Sequence, residues 1–312
     1  MSILKELNEK YPIRRSDAQK SEFRDYIVKK AESLGASVRI EQTSDRKNEN
    51  VIIGNPKSAK AVFTAHYDTP CASLFPNLMI PRSKGLYMAF QFIPIIIMLI
   101  VSLSVGWLAM ELAHSEANVK VIVWYFSFLI CYYLLFYLFY RAFVNKHNCN
   151  DNTSGVAVIL SIIEKCDPES LKNAAFILFD NEEKGKKGSK AYFHDHKDEM
   201  EKKFLLNFDC VGYGENIVFV AMKDAEDMAE YAALKDSFVS SEEFGVEFYP
   251  IKGSESNSDY KNFPCGVGCM ACKRTKNGIL YTPRIHTARD TEAHDENIDF
   301  ISSASVAFTE KL

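Results

Sequence analysis

The chain has 312 residues, enough for one large α/β domain or two small ones, and 47% of them are apolar, enough for a full core. A net charge of -4 offers no handle for nucleic acid or for a generally anionic partner. The eight cysteines are scattered and the opening MSILKELNEKYPIRR has no apolar leader core, so a reducing, cytosol-facing chain with free thiols is expected.

Residues 16–34 are expected to form an amphipathic helix. Ser16 or Asp17 caps it, Phe23, Ile27, Ala31 and Leu34 recur at helical spacing, and Gly35 stops it. Short β-rich runs follow at 37–41, 50–53 and 61–65, the last continuously apolar like a buried central strand. Two long apolar runs, 86–110 and 119–144, come next. Beyond them the pattern predicts a helix at 153–166, a strand at 174–179, a helix at 189–196 and strands at 205–208 and 217–221. A helix at 225–239, a strand at 268–272 and a closing helix at 295–309 complete it. This alternation predicts an α/β fold, a mostly parallel mixed sheet with helices on both faces.

Roughly 20 helical residues cross a hydrocarbon core of about 30 Å, so each apolar run is long enough to span a bilayer. The charged residues within 86–144 are Glu111, Glu116, Lys120 and Arg141, all at or near run ends. Residues 85–144 therefore read as an inserted transmembrane hairpin in contact with lipid. It divides a catalytic domain into residues 1–84 and 145–312. Arg82, Lys84, Arg141 and Lys146 flank its near ends, which places the domain in the cytoplasm by the positive-inside rule.

Five short segments put acids and histidines after strand-like runs, where ligand sites of open α/β sheets lie. They are His66-Tyr67-Asp68, Asp151-Asn152-Thr153-Ser154-Gly155, Glu182-Glu183, Asp209 after 205–208, and His286. A histidine can bind a metal through one ring nitrogen while a carboxylate two residues on accepts from the other. A carboxylate opening a helix can bridge two metals, and of two adjacent glutamates one can ligate while the other handles a proton. Cys265, Cys269 and Cys272 lie in or beside a buried strand with no second ligand pair, and read as core.

Taken in order, the five segments resemble the M28 family of metallopeptidases. The flanking words Ala65-His66-Tyr67-Asp68-Thr69, Ser258-Asp259-Tyr260 and Ile285-His286-Thr287-Ala288-Arg289-Asp290-Thr291 resemble it too. The resemblance implies two zinc ions, with cobalt or manganese as alternatives. One would be held by His66 and Asp209, the other by Glu183 and His286, with Asp151 shared. Asp68 would orient His66 and Glu182 would be the general base. The implied reaction is hydrolysis of the N-terminal residue from a peptide through a metal-bridging hydroxide. Two departures stand out: the hairpin fills the gap between Asp68 and Asp151, and Glu255 stands where leucyl aminopeptidases of the family carry a tyrosine. The alternative functions are a glutaminyl-cyclase-like aminoacyltransferase and a non-catalytic membrane scaffold.

Overall fold

The strands, in chain order, are β1 (Val38–Gln42), β2 (Glu49–Ile53), β3 (Ala61–His66), β4 (Cys71–Ala72), β5 (Phe143–Val144), β6 (Ala174–Phe179), β7 (Phe204–Phe208), β8 (Asn216–Ala221), β9 (Gly245–Pro250), β10 (Gly266–Arg274) and β11 (Leu280–Tyr281). These come from a computed structural model, which describes all residues except Pro76 and Glu255. The Glu255 departure therefore lies outside the described residues.

β3, β6, β7 and β8 are buried at every position, as strands covered on both faces must be. The sheet order is β1-β2-β6-β3-β7-β10-β8-β9, with β11 paired to β10. β6, β3, β7 and β10 run parallel. β1 and β2 join antiparallel on one side, and β8 joins β10 antiparallel on the other. On one face Phe63 packs with Leu7, Phe23 and Ile27 of the two N-terminal helices and with Phe308 of the last. On the other, Val62 shares a cluster with Tyr192, Met200 and Phe263. Cys269 and Cys272 of β10 face opposite sides of the sheet. The expected mixed α/β sheet with helices on both faces is the observed one.

Local chemistry sets the helix ends. The second helix, Asp17–Ser33, opens with a reciprocal capping box in which Ser16 and Gln19 satisfy each other's backbone N–H groups. The expected helix 225–239 is instead two, Lys223–Glu226 and Ala229–Ser237, because Met228 turns extended and packs on the core. β9 lies at the sheet edge with no fully buried residue, so it carried no clean alternation to read. Helix Ser154–Lys165 starts hard against β7: a Cβ on Gly155 would lie 2.5 Å from the Phe208 carbonyl oxygen. Gly155→Ala is expected to cost about 1–3 kcal/mol of stability, read from urea melts, through the backbone shift it forces.

The two apolar runs form helices Lys84–Leu112 and Ala117–Tyr140, of 29 and 24 residues. At 1.5 Å per residue these are about 43 and 36 Å long, more than a hydrocarbon core. They pack on each other rather than on the sheet. Pro94, Met98, Ser102 and Gly106 form a buried stripe on the first, and a Cβ on Gly106 would fall 3.0 Å from the Trp124 carbonyl oxygen. The second helix has no buried residue, and Trp107, Val121, Ile130 and Tyr133 are each more than 60% exposed, which no core helix would be. Phe143–Val144 belongs to the apolar run by hydropathy, but it leaves the helix and pairs with Cys71–Ala72, joining the two ends of the insert. The Ser73 N–H donates to the His286 carbonyl (2.7 Å), and the Thr282 N–H to the Met79 carbonyl (2.9 Å). The base of the hairpin is thus stitched to the segment carrying His286.

Candidate metal centre

Parallel neighbours bring their carboxyl ends to one rim. His66 closes β3 level with Phe179 of β6, and the β3–β7 register pairs Thr64 with Asn207, which puts His66 level with Asp209. Glu182 and Glu183 lie in the turn after β6. The irregular turn 149–153 delivers Asp151 ahead of helix Ser154–Lys165, and the loop beyond β11 delivers His286. Asn181, Cys210 and His286 all hold left-handed backbone (φ 54, 58 and 56°) beside or at the donor positions, where strained residues gather at functional sites.

Asp151 is buried, with Oδ1 3.3 Å from His66 Nε2 and Oδ2 3.0 Å from His286 Nε2. Asp209 Oδ1 lies 3.7 Å from His66 Nε2, and Glu183 Oε2 lies 3.4 Å from His286 Nε2. All five donors expected as ligands therefore face one another in two overlapping groups centred on Asp151. His66 Nδ1 lies 3.1 Å from the Asp68 carbonyl oxygen, so Nδ1 carries the proton and Nε2 is left for a ligand role. The Asp68 carboxylate stands farther from that ring, at 3.5 Å. It accepts instead from the Glu182 and Glu183 N–H groups, at 2.9 and 3.2 Å. Asp68 thus ties the histidine segment to the Glu-Glu turn.

Charge is crowded here. Burial would raise the Asp151 carboxyl, but the charges and hydrogen bonds of His286 and His66 hold it well below the usual range. Burial, with neighbouring carboxylates, pushes both Glu182 and Glu183 well above it. Glu183 Oε1 is buried without a hydrogen-bond partner. Two groups of donors lie close enough to hold a metal ion, His66 with Asp151 and Glu183, and Asp151 with Asp209 and Cys210; with His286 beside Asp151 and Glu183, and an orphaned buried oxygen on Glu183, the set fits a divalent metal such as zinc. A cavity of about 210 Å³ opens on Asp151, Glu183, Asp209 and His286, lined also by Met79 and by Tyr87 of the first hairpin helix.

The supporting shell was not legible in the sequence. Arg14 is fully buried, and its guanidinium donates to the Tyr67 carbonyl (2.5 Å), the Tyr11 carbonyl (2.7 Å) and Thr153 Oγ1 (3.1 Å). Burial lowers its pKa to about 10 against the pull of Asp68 and Asp151, so it stays a cation beneath the carboxylates. Asp290 accepts from the Asn150 and Asp151 N–H groups (2.9 and 3.0 Å), and burial raises it to about 7. Lys20, also buried, donates to Asp180 (2.8 Å) and Asn181 (3.1 Å) ahead of the Glu-Glu turn. Arg14 and Lys20 come from segments with ordinary surface composition, and Asp290 lies in the family-like word 285–291, where its role as a backbone acceptor was not readable. Lys20→Met should cost about 3–5 kcal/mol in urea unfolding, because it strands the buried Asp180 charge.

The family model for peptidase family M28 matches residues 143–308, more than half of the chain. The chain belongs to peptidase family M28. Its described residues include groups of histidine and carboxylate donors that could hold a metal ion. The matched span of this M28 peptidase begins after the hairpin helices, so His66 and Asp68 lie outside it and reach the site through the place of β3 in the sheet. Among solved structures it is similar to the LapA aminopeptidase of Legionella pneumophila, with 15% identity and a TM-score of 0.56 over 98% of this chain and 69% of that one. It is equally similar to the glutaminyl cyclase of Bacteroides thetaiotaomicron, with 15% identity and a TM-score of 0.56 over 99% and 96%. A Zn-dependent exopeptidase from Parabacteroides distasonis matches with 13% identity and a TM-score of 0.54 over 97% and 94%. At these identities the likeness is one of fold. No curated protein matches the sequence.

Proposed function

We propose that this M28 chain is a membrane-anchored di-zinc aminopeptidase that removes N-terminal residues from peptides at the cytoplasmic face. The observation that carries the reading is Asp151, whose two oxygens point at two different histidines. His66 and Asp209 would complete one zinc site, Glu183 and His286 the other, and Asp151 would serve both. Zinc bound there would polarise the scissile carbonyl and lower the pKa of the attacking water. Glu182 would take the proton from the attacking water and return it to the leaving amine. Asp68 holds Glu182 by its backbone N–H, and Arg14 keeps the carboxylate-rich floor in place.

Exposed apolar helices of spanning length and the basic residues at their near ends support the anchor. Residues 1–84 and 145–312 form the catalytic domain in this reading, and 85–144 the insert. Metal analysis of detergent-purified protein, with product analysis on Leu- and Gln-initiated peptides, tests the function. About two zinc ions per chain and release of free leucine are expected. One zinc with cyclised glutamine would point to the glutaminyl-cyclase alternative, and no metal to a scaffold. In a second test, residues 85–141 are replaced by a Gly/Ser linker that spares β5, at small loop-closure cost. The variant should be soluble without detergent, bind the same zinc and still hydrolyse short peptides.

A further inference from the structure

Beside the metal centre a second cavity, of about 370 Å³, runs between the hairpin helices. Its inner end is Glu183 and His286, the same residues that wall the central cavity. Its sides are Gln91 and Ile95 of the first helix and Tyr132, Phe136 and Tyr140 of the second. Tyr87, which lines the central cavity, lies one turn before Gln91 and two before Ile95, so one helix face leads from the metal centre outward. Tyr140, Phe136 and Tyr132 repeat the four-residue spacing on the partner helix.

The groove changes character along its length. Glu183, His286 and Arg141 lie at the domain end, and the Gln91 amide, which donates to Asn77 (2.8 Å), comes next. Ile95, Phe136 and Tyr132 follow, the last about 12 Å up the helix from Tyr140. That is less than half of a hydrocarbon core. A lipid tail has no use for the charged end. A peptide does: its backbone meets the polar groups and its apolar side chains meet the outer part. Extended backbone cannot stand in lipid unless protein covers its N–H and C=O groups, and a groove between two helices provides that cover.

We infer that the interhelical groove is a substrate channel: the site acts on peptides whose free amino terminus is followed, within a few residues, by an apolar segment held in the bilayer, and that segment occupies the groove. This rests on the aminopeptidase reading and narrows its substrate class. Confining substrate to the membrane raises its effective concentration at the site, and binding along the groove adds orientation.

The test uses the full chain in phosphatidylcholine–phosphatidylglycerol vesicles. The probes are a short Leu-Ala-Ala-Ser peptide and the same peptide extended by roughly 18 apolar residues. The extended peptide should be hydrolysed about tenfold more efficiently or better in kcat/KM. Ile95→Trp, which fills the groove, should remove that advantage, whereas Ile100→Trp, at a position 59% exposed, should preserve it and leave the short peptide unaffected. A photocrosslinking residue in place of Phe136 should capture the extended peptide, and one in place of Leu134, on the opposite side of the same helix, should not. Equal capture at the two positions, or an advantage that survives Ile95→Trp, overturns the channel. Hydrolysis of the short peptide without capture at Phe136 sinks the channel and leaves the peptidase. Capture at Phe136 with neither peptide cleaved sinks the peptidase and leaves the channel.

Discussion

Glu182→Gln is expected to retain both zinc ions and lose more than the ~10²–10⁴ in kcat usual for a single acid–base group. The size of the loss follows from its position. Glu182 lines the central cavity with four of the five expected ligands, Asp151, Glu183, Asp209 and His286, yet among the described residues no ion pair or hydrogen bond joins its carboxylate to either histidine of the centre. Its backbone N–H is fixed by Asp68 (2.9 Å), so an isosteric amide keeps the turn in place. What the amide cannot do is take and return a proton, and both halves of the reaction need that transfer. Metal analysis and kcat, measured on the same preparation, decide the point. Lost zinc would make Glu182 a ligand, and retained turnover would make another group the base.

Asp151→Asn should lower zinc occupancy at both positions together and reduce activity in proportion. Each Asp151 oxygen faces a different imidazole, at 3.3 and 3.0 Å, so removing one charge weakens both sites at once. The fold should persist, because the Asn150 and Asp151 N–H groups stay bonded to Asp290 whichever side chain follows. Zinc titration of the demetallated variant reads the effect, with the thermal melt as a check on folding. Two zinc ions bound at parent affinity would refute the shared-ligand role. Loss of one zinc alone would assign Asp151 to a single site.

The placing of candidate donors at one rim was legible in large part because parallel strands end in ordered places. An apolar run such as 61–65 or 205–208 announces a buried strand, and the polar residue that breaks it falls at the carboxyl edge of the sheet. His66, Asp209 and Glu183 were found that way. Asp151 and His286 were expected after strand-like runs in the same way, but they sit on an irregular turn and a left-handed loop position, which have no periodicity, so the resemblance of their flanking words was the stronger pointer to them.

The sequence by itself determined the central strands, the helices that cover them, the two apolar helices of spanning length and the set of candidate donors. Each depends on hydropathy or spacing within a short stretch of chain. Tertiary structure alone decided which donors meet. The order β6-β3-β7 makes neighbours of residues separated by more than a hundred positions, and Asp151 joins their two groups from a different segment. It also decided that Arg14, Lys20 and Asp290 brace the site, since a buried charge is read from its partners and none of theirs is local. The groove between the hairpin helices belongs to the same class. Its walls are helix faces some forty residues apart in the chain, and packing of the two helices, as at Gly106 and Trp124, brings them together.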